Sequence, residues 1–456
     1  MNEKSLKFNE RFIFENECLP ELSFAPFNTY KLKNTHVLWL NKSLLRKYQI
    51  DGTNEEIEQQ IINNYSYVSY GYANSNRLIK SDTKLFRADR YGSRHEVCNG
   101  GSARCGYDGR FHVKGIGLTP LLSENMSKSH SNGKLFLDEA ISEAIWGEVC
   151  HQHLPFGAIR TLAIIKTNVL EDFLYLEDTP KKPCALAIRE FSIRPAHFER
   201  CTFFWPSSEN IHLRDNDAQR VRECIKFLPI SLNLSRTELS SEKELLHCCN
   251  EMVLRIAKQV AYSRVKGIPH GSLTSSNISV DGRFLDFGTM TAVPDFGNYI
   301  IANGVGAVWD DHLLIINWIK NFTLTLNQYS PFGGVLSKNS IRKLLDTFCN
   351  ELDHQENLAI LEELGVYDKC FKNLMIAKDI KRTLVSTQRM SIGDFNDKSF
   401  RRTIREIASS KGLEVHKVNF ELRDFKYSTF NILNDKDLKI SKYSKESVKN
   451  LISRYC

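Results

Sequence analysis

Apolar positions along this chain follow two periods, and the change between them divides it. In the first part the runs are short. Phe111 and Val113 alternate with polar neighbours in Arg110–Lys114, and further strand-like runs lie near Arg160–Lys166 and Cys184–Ile188. Between these strands, Leu137, Ile141, Ala144, Ile145 and Val149 form a stripe that predicts a helix over Leu135–His153. Beyond Arg200 the helical period dominates. Leu245–Lys266 places Cys249, Met252, Val253, Ile256 and Val260 on one face, and Gly267 ends it. Helices are also expected at Lys42–Tyr48, Asn54–Asn63, Trp309–Leu326, Ile341–Asn350 and Asn357–Leu364. Basic helices or loops finish the chain. The runs NISV and RFLDF flank Asp281–Gly282 and predict a hairpin. A strand-rich first part and a helix-rich second part predict an α+β chain of two lobes with a cleft between them.

Composition narrows this picture. With 456 residues the chain is long enough for two or three cores. It is 42% apolar and 25% charged and has no run approaching the roughly 20 apolar residues of a membrane span. The start, MNEKSLKFNERF, has no apolar core region, so neither a signal peptide nor a membrane location is expected, and the chain reads as cytoplasmic. The twelve cysteines form no C-x-x-C pair and match neither a zinc site nor a disulfide framework. They read as small core residues in a reducing compartment. The net charge of +7 is concentrated in the tail, where Arg401–Cys456 holds 13 Lys/Arg against 7 Asp/Glu. Acids interleave with these bases and no aromatic ladder accompanies them. A solvated helical face is expected there, not a nucleic-acid site.

The chemistry concentrates in HGSLTSSNISVDGRFLDFG, residues 270–288. His270 is followed seven residues on by Asn277, and nine further on by Asp286-Phe287-Gly288. Protein kinases pair a catalytic loop H-R-D-x-x-x-x-N with a hairpin and D-F-G at such an interval. The hairpin sets an amide oxygen beside a carboxylate, and the pair can hold Mg²⁺ against nucleotide phosphates. The Asp that accepts the substrate proton in a kinase is replaced by Ser272, whose hydroxyl is too weak a base for that role.

Upstream, Lys114 ends a strand and precedes Gly115-Ile116-Gly117, where an ammonium can neutralise phosphate and glycines permit close backbone approach. On the following helix Glu139 and Glu143 share a face, and either can clamp Lys114. Arg189 and Arg194 in REFSIR suit triphosphate binding or salt bridges to Glu190 and Glu199.

Together these motifs resemble the selenoprotein O family of kinase-like protein adenylyltransferases. HVKGIGLTPLL is similar to that family's L-K-G-x-G-x-T-P segment and places its Lys on Lys114. EAISEAIWGEVCHQHLPFGAIRTLAI resembles its next helix and strand and places the helix glutamate on Glu143. REFSIRPAHFE is similar to its two-arginine segment, two residues shorter between Arg189 and Arg194. Residues 270–288 resemble its H-G-V-L-N-T-D-N-M-S-I…D-Y-G, with the Asn277–Asp286 interval kept, and THVLWLNKSLLRKYQID resembles its N-terminal segment. The resemblance runs from about residue 25 to 330.

It implies a bilobed protein-kinase-like fold: an N-terminal segment at 1–80, an N-lobe at 81–205, a C-lobe at 206–345 and a helical basic extension at 346–456. It implies ATP with Mg²⁺ or Mn²⁺, held by Asn277 and Asp286. Lys114 and Glu143 would hold phosphates, with Gly115 and Gly117 beside them, and Arg189 and Arg194 would grip the terminal phosphates. AMP would pass to a Ser, Thr or Tyr hydroxyl of a protein or peptide. Three departures stand out. The family's Asp before the metal-binding Asn is Ser276, its D-G-R is replaced by SENMSKSHSNGK, and its redox tail is reduced to Cys456. Two rival expectations follow: a pseudokinase acting as scaffold or maturation partner in a bacterial peptide-modification system of microcin type, and a small-molecule kinase.

Overall fold

The computed structural model describes residues 18–92, 98–124, 126, 132–172, 181–301, 307–332, 334, 336–386, 388–389, 391–392, 395 and 397–455. The expectations for the N-terminal start, for residues 125 and 127–131 of the insert, and for Cys456 lie outside the described residues. The chain is α+β. Nine strands form one sheet whose ladders are all antiparallel: β1 (Phe24–Leu32), β2 (His36–Leu40), β3 (Tyr67–Val68), β4 (Leu78–Asp89), β5 (Cys105–Tyr107), β6 (His112–Lys114), β7 (Leu135–Phe136), β8 (Thr161–Glu171) and β9 (Lys182–Arg189). Their order is β2-β8-β9-β6-β5-β4-β1-β3, with β7 on β9. The segment before residue 80 therefore contributes strands to this sheet, and β4 runs across that position. A parallel pair, β10 (Asn298–Tyr299) and β11 (Gln388–Arg389), stands apart.

The early helices are α1 (Lys42–Lys47), α2 (Asn54–Tyr65) and α3 (Leu137–His153). The later ones are α4 (His212–Asp215), α5 (Asp217–Lys226), α6 (Leu228–Ser231), α7 (Glu242–Lys266), α8 (His312–Tyr329), α9 (Lys338–Glu363), α10 (Phe371–Leu384), α11 (Asp397–Ser410), α12 (Thr429–Leu433), α13 (Lys436–Ile440) and α14 (Lys445–Ser453). α7 starts at a Ser241 cap and stops at Gly267, whose φ of 81° sits in the left-handed region.

Strand alternation sorts the sheet into two faces. Val113, Leu186 and Ile188 point into an apolar cluster with Leu44, Leu45, Ile57 and Ile61 of α1 and α2. Ala185 and Ala187 point the other way, into the cluster built on α3 and α7. Lys114 pairs with Ala187 and His112 with Arg189, so these polar side chains share the α3 face.

The structure corrects four expectations. The two helices expected at Ile341–Asn350 and Asn357–Leu364 are one helix, α9, because the intervening ELDHQE contains no helix breaker. The helix expected from Trp309 starts at His312. Trp309 is held before it, its backbone N donating to Asn298 Oδ1 at 2.8 Å and its indole to Phe296 O at 2.9 Å. The hairpin expected around Asp281–Gly282 turns as expected, yet it pairs through a single bridge between Ile278 and Phe284. Ser279 Oγ accepts from Arg283 N at 2.9 Å, and the left-handed backbone at Asp286 ends any ladder. Finally, the basic tail is not merely a solvated face. Arg423 is buried and donates to the carbonyls of Val293, Asp295, Arg264 and Val265, the last two in the final turn of α7, where Arg264 O also accepts from Gly267 N at 3.1 Å.

The cysteines are unbridged among the described residues, and all but Cys349 and Cys370 are buried. No described helix is long and apolar enough to cross a membrane.

Candidate functional site

Asp286 is the point on which the site converges. Its φ of 59° is left-handed, a conformation that costs on the order of 1 kcal/mol in a residue with a Cβ. The turn aims both carboxylate oxygens at cations. Oδ1 accepts from Lys114 Nζ at 2.7 Å and from Arg189 Nη1 at 2.9 Å, and Oδ2 accepts from Arg194 Nη1 at 3.2 Å. The three cationic side chains are between 3% and 5% exposed, while Asp286 is 24% exposed and faces the opening. Each reaches the site from an element end: Lys114 from β6, Arg189 from β9, and Arg194 from the residue before Pro195.

Lys114 also donates to Glu143 Oε1. Glu139 stands 4.0 Å from Lys114 and instead accepts from Arg104 Nη2 at 2.8 Å. Geometry thus separates two acids that spacing left equivalent. Glu143 is buried because α3 is enclosed nearly all round by the sheet and the C-terminal helices.

The electrostatics are mutually reinforcing. Burial opposes ionisation of Asp286, but Lys114, Arg189 and Arg194 outweigh it and hold the carboxyl well below its usual range. Burial likewise opposes the Lys114 ammonium, and Asp286 and Glu143 outweigh it, so its pKa is raised. Burial of Glu139 is outweighed by Arg104 and then Lys114, and its pKa is lowered. All three groups are charged at neutral pH.

Asn277 lines the same cavity. Its Nδ2 donates to Ser272 O at 2.8 Å, which turns Oδ1 to the other side, where it accepts a long 3.4 Å bond from Ser276 Oγ. His270 clips the loop in place. Its buried ring is kept neutral, chiefly by desolvation, and Nε2 donates to Leu285 O at 2.9 Å, one residue before Asp286.

The cavity measures about 440 Å³, within the range of small-molecule sites. Five basic residues line it (Arg104, Lys114, Lys134, Arg189, Arg194) against three acidic ones (Glu139, Glu143, Asp286), an excess that suits a polyanion. Gly115 and Gly117 are not among the lining residues. A Cβ on Gly115 would lie 2.6 Å from Leu135 Cβ and 2.7 Å from Ala185 O, so its packing against β7 and β9 demands glycine. The glycine beside the cavity on this side is Gly101, in Asn99-Gly100-Gly101-Ser102, with Arg104 just beyond. Sequence reasoning passed over Arg104, Lys134 and this loop. The paired glycines after β4 were the available signal.

The donors fit a hard divalent cation. Asn277 offers an amide oxygen and Asp286 a carboxylate, both on one cavity. Among the described residues no group of three or more His, Cys, Asp or Glu is arranged to hold a metal. A cation here would complete its shell with phosphate and water oxygens, as Mg²⁺ commonly does.

The family model described as "Protein adenylyltransferase SelO" matches residues 99–453, more than three quarters of the chain. The chain belongs to the SelO family. It is 28% identical to "Protein nucleotidyltransferase YdiU" of Trichodesmium erythraeum over 267 residues, 56% of this chain and 51% of that one. It is 22% identical to the protein of the same description from Erwinia tasmaniensis over 317 residues, 68% of this chain and 58% of that one. The Vibrio atlanticus protein of that description is 23% identical over 308 residues, 66% of this chain and 56% of that one. The chain spans about half the length of the curated relatives it matches. Its SelO membership agrees with the motif resemblance, and Ser276 remains a departure from the motif pattern at the loop beside Asn277.

Proposed function

We propose that this SelO-family chain is a metal-dependent nucleotidyltransferase that moves AMP from ATP to a hydroxyl of a protein or peptide. The observation that carries the reading is the convergence of Lys114, Arg189 and Arg194 on Asp286, with Asn277 on the same cavity wall. In this reading the fold is bilobed and kinase-like. An N-lobe runs to residue 205 and takes β1, β2, β3 and the start of β4 from the segment before residue 80, a C-lobe begins at 206, and the helices after α9 extend it. ATP lies between the lobes.

Asn277 and Asp286 would hold Mg²⁺ or Mn²⁺, which supplies charge neutralisation of phosphate oxygens when bound. Lys114, fixed by Glu143, sets an ammonium against the phosphates. Arg189 and Arg194 hold the pyrophosphate end and stabilise the charge it gains. The acceptor oxygen attacks the α-phosphorus, the bond to the β-phosphate bridging oxygen breaks, and pyrophosphate leaves. The hydroxyl proton passes to solvent, since Ser272 and Ser276 occupy the places of a base and each lining carboxylate is already paired with a cation. General-base help contributes on the order of 10² to 10⁴ in rate, so transfer without it is slow yet retains the larger electrostatic part.

The experiment is incubation with α-labelled or γ-labelled ATP in Mn²⁺, followed by intact-mass analysis of candidate acceptors. Label from the α position with an added AMP mass supports the reading. Label from γ alone identifies a kinase. Binding of ATP with no transfer of either label identifies the scaffold alternative, which the two serines favour.

A further inference from the structure

Behind the site, out of reach of any ligand, lies a polar fork that the chemistry above does not use. Asp89 ends β4 and is 1% exposed, and His112 and His197 are 2% and 0% exposed. Asp89 Oδ1 meets His112 Nε2 at 3.0 Å, and Oδ2 meets His197 Nε2 at 3.2 Å. On the far side of each ring stands one arginine of the site. Arg189 Nε donates to His112 Nδ1 at 3.4 Å, and the backbone N of Arg194 donates to His197 Nδ1 at 2.9 Å.

A buried carboxylate flanked by two imidazoles fixes their tautomers. Burial works against the Asp89 charge, but His112 and His197 outweigh it, and the group stays well below the usual carboxylate range. Both rings are held neutral, chiefly by desolvation. Both carboxylate oxygens accept, so each ring carries its proton on Nε2 and presents a bare Nδ1. Those lone pairs meet the N–H groups of Arg189 and Arg194. Phe191 packs edge-on to His112 at 5.8 Å.

We propose that Asp89, His112 and His197 are positioning residues that hold Arg189 and Arg194 in the orientation needed to grip the terminal phosphates of the nucleotide. The inference rests on the nucleotide reading of the cavity. It explains why a doubly buried carboxylate sits one layer behind a cluster of cations it does not touch. It also explains why both arginines stay aimed at one point when a ligand separates them from Asp286.

Asp89→Asn is the informative change because it preserves shape. An amide has one accepting oxygen, so its NH₂ must face one of the two rings. That ring then protonates Nδ1; on His112 this N–H opposes Arg189 Nε, and on His197 it opposes the backbone N of Arg194 and turns instead toward Arg194 O, 3.3 Å away. The test is a double-mutant cycle on the affinity of the full chain for Mn²⁺–ATP, measured by calorimetry, with thermal melting as the folding control. Asp89→Asn should weaken binding roughly tenfold, the order seen when a partner that orients a binding group is lost. In an Arg189→Ala or an Arg194→Ala background the same change should cost less than about twofold in at least one case, since the group it orients is gone. A full loss persisting in both backgrounds, or no loss in the wild-type background, overturns the proposal. Should Asp89→Asn fail to fold, His112→Gln with Arg189→Ala completes the cycle on the same criteria. A wild-type chain that binds no Mn²⁺–ATP refutes the nucleotide reading itself, a result distinct from binding that Asp89→Asn leaves intact.

Discussion

Replacing Asp286 by Asn removes one charge from the centre of three buried cations and keeps its shape. Lys114 retains Glu143, while Arg189 and Arg194 lose the carboxylate they share. Removing one partner of a buried pair costs about 3–5 kcal/mol. The 24% exposure of Asp286 lets water compensate in part, so the low end, about 3 kcal/mol, is expected. At roughly 2 cal/mol/K per residue, the unfolding entropy of 456 residues is about 1 kcal/mol/K, and the melting temperature should fall by about 3 °C.

Ligand dependence gives the sharper test. ATP without metal should stabilise the variant more than the wild type, because a polyphosphate replaces the missing anion. The gain from Mn²⁺ should vanish, because one of the two protein ligands proposed for it is gone. Differential scanning fluorimetry and calorimetry with ATP, with and without Mn²⁺, read both quantities. A variant whose ATP affinity rises with Mn²⁺ by the same factor as the wild type would refute the assignment of Asp286. Acid titration adds an independent check. The lowered pKa of Asp286 contributes stability that is present above its unfolded value of 3.8 and is lost as pH falls toward the native value, so the variant should lack that acid-side decline.

Asp311 offers the opposite sign. Burial, against the pull of Arg264, raises its pKa from 3.8 to about 7, so stability should fall by about 1.4 kcal/mol per pH unit across that window. Asp311→Asn should flatten this dependence and raise the melting temperature at pH 8, and an unchanged pH profile would count against it. Gly115→Ala should destabilise the chain by about 2 kcal/mol, because a Cβ at φ 88° meets β7 and β9, while ATP affinity stays at the wild-type value. Weakened ATP binding in a folded Gly115→Ala chain would restore that glycine to the phosphate site. Ser276→Asp supplies a carboxylate beside Asn277 and should raise the rate of AMP transfer at least tenfold if proton removal limits it, on the order expected of a general base. An unchanged rate in labelled-ATP assays would show that it does not.

Much of this protein was legible in its sequence because the signals are local. The alternation in β6, the apolar runs of β8 and β9, the helical stripe of α3, and the Gly267 end of α7 are short-range consequences of backbone geometry and apolar spacing, whereas the start of α7 lies at Glu242, one turn before the expected Leu245, because Ser241 caps it. The interval from Asn277 to Asp286 marked the candidate site because a tight turn of fixed length brings its ends to one cavity. What the sequence left open were partnerships made across the sheet and between sheet and helices. Spacing left Glu139 and Glu143 equivalent on one helical face, although the motif resemblance pointed to Glu143, and the packing of α3 on β8 and β9 sends Glu143 to Lys114 and Glu139 to Arg104. Asp89 carries no motif at all. It gained its place when β4 and β6 were joined through β5, bringing it to His112, 23 residues along the chain, and to His197, 108 residues along. Spacing determines what a short segment can form, and burial decides which distant charges must satisfy one another.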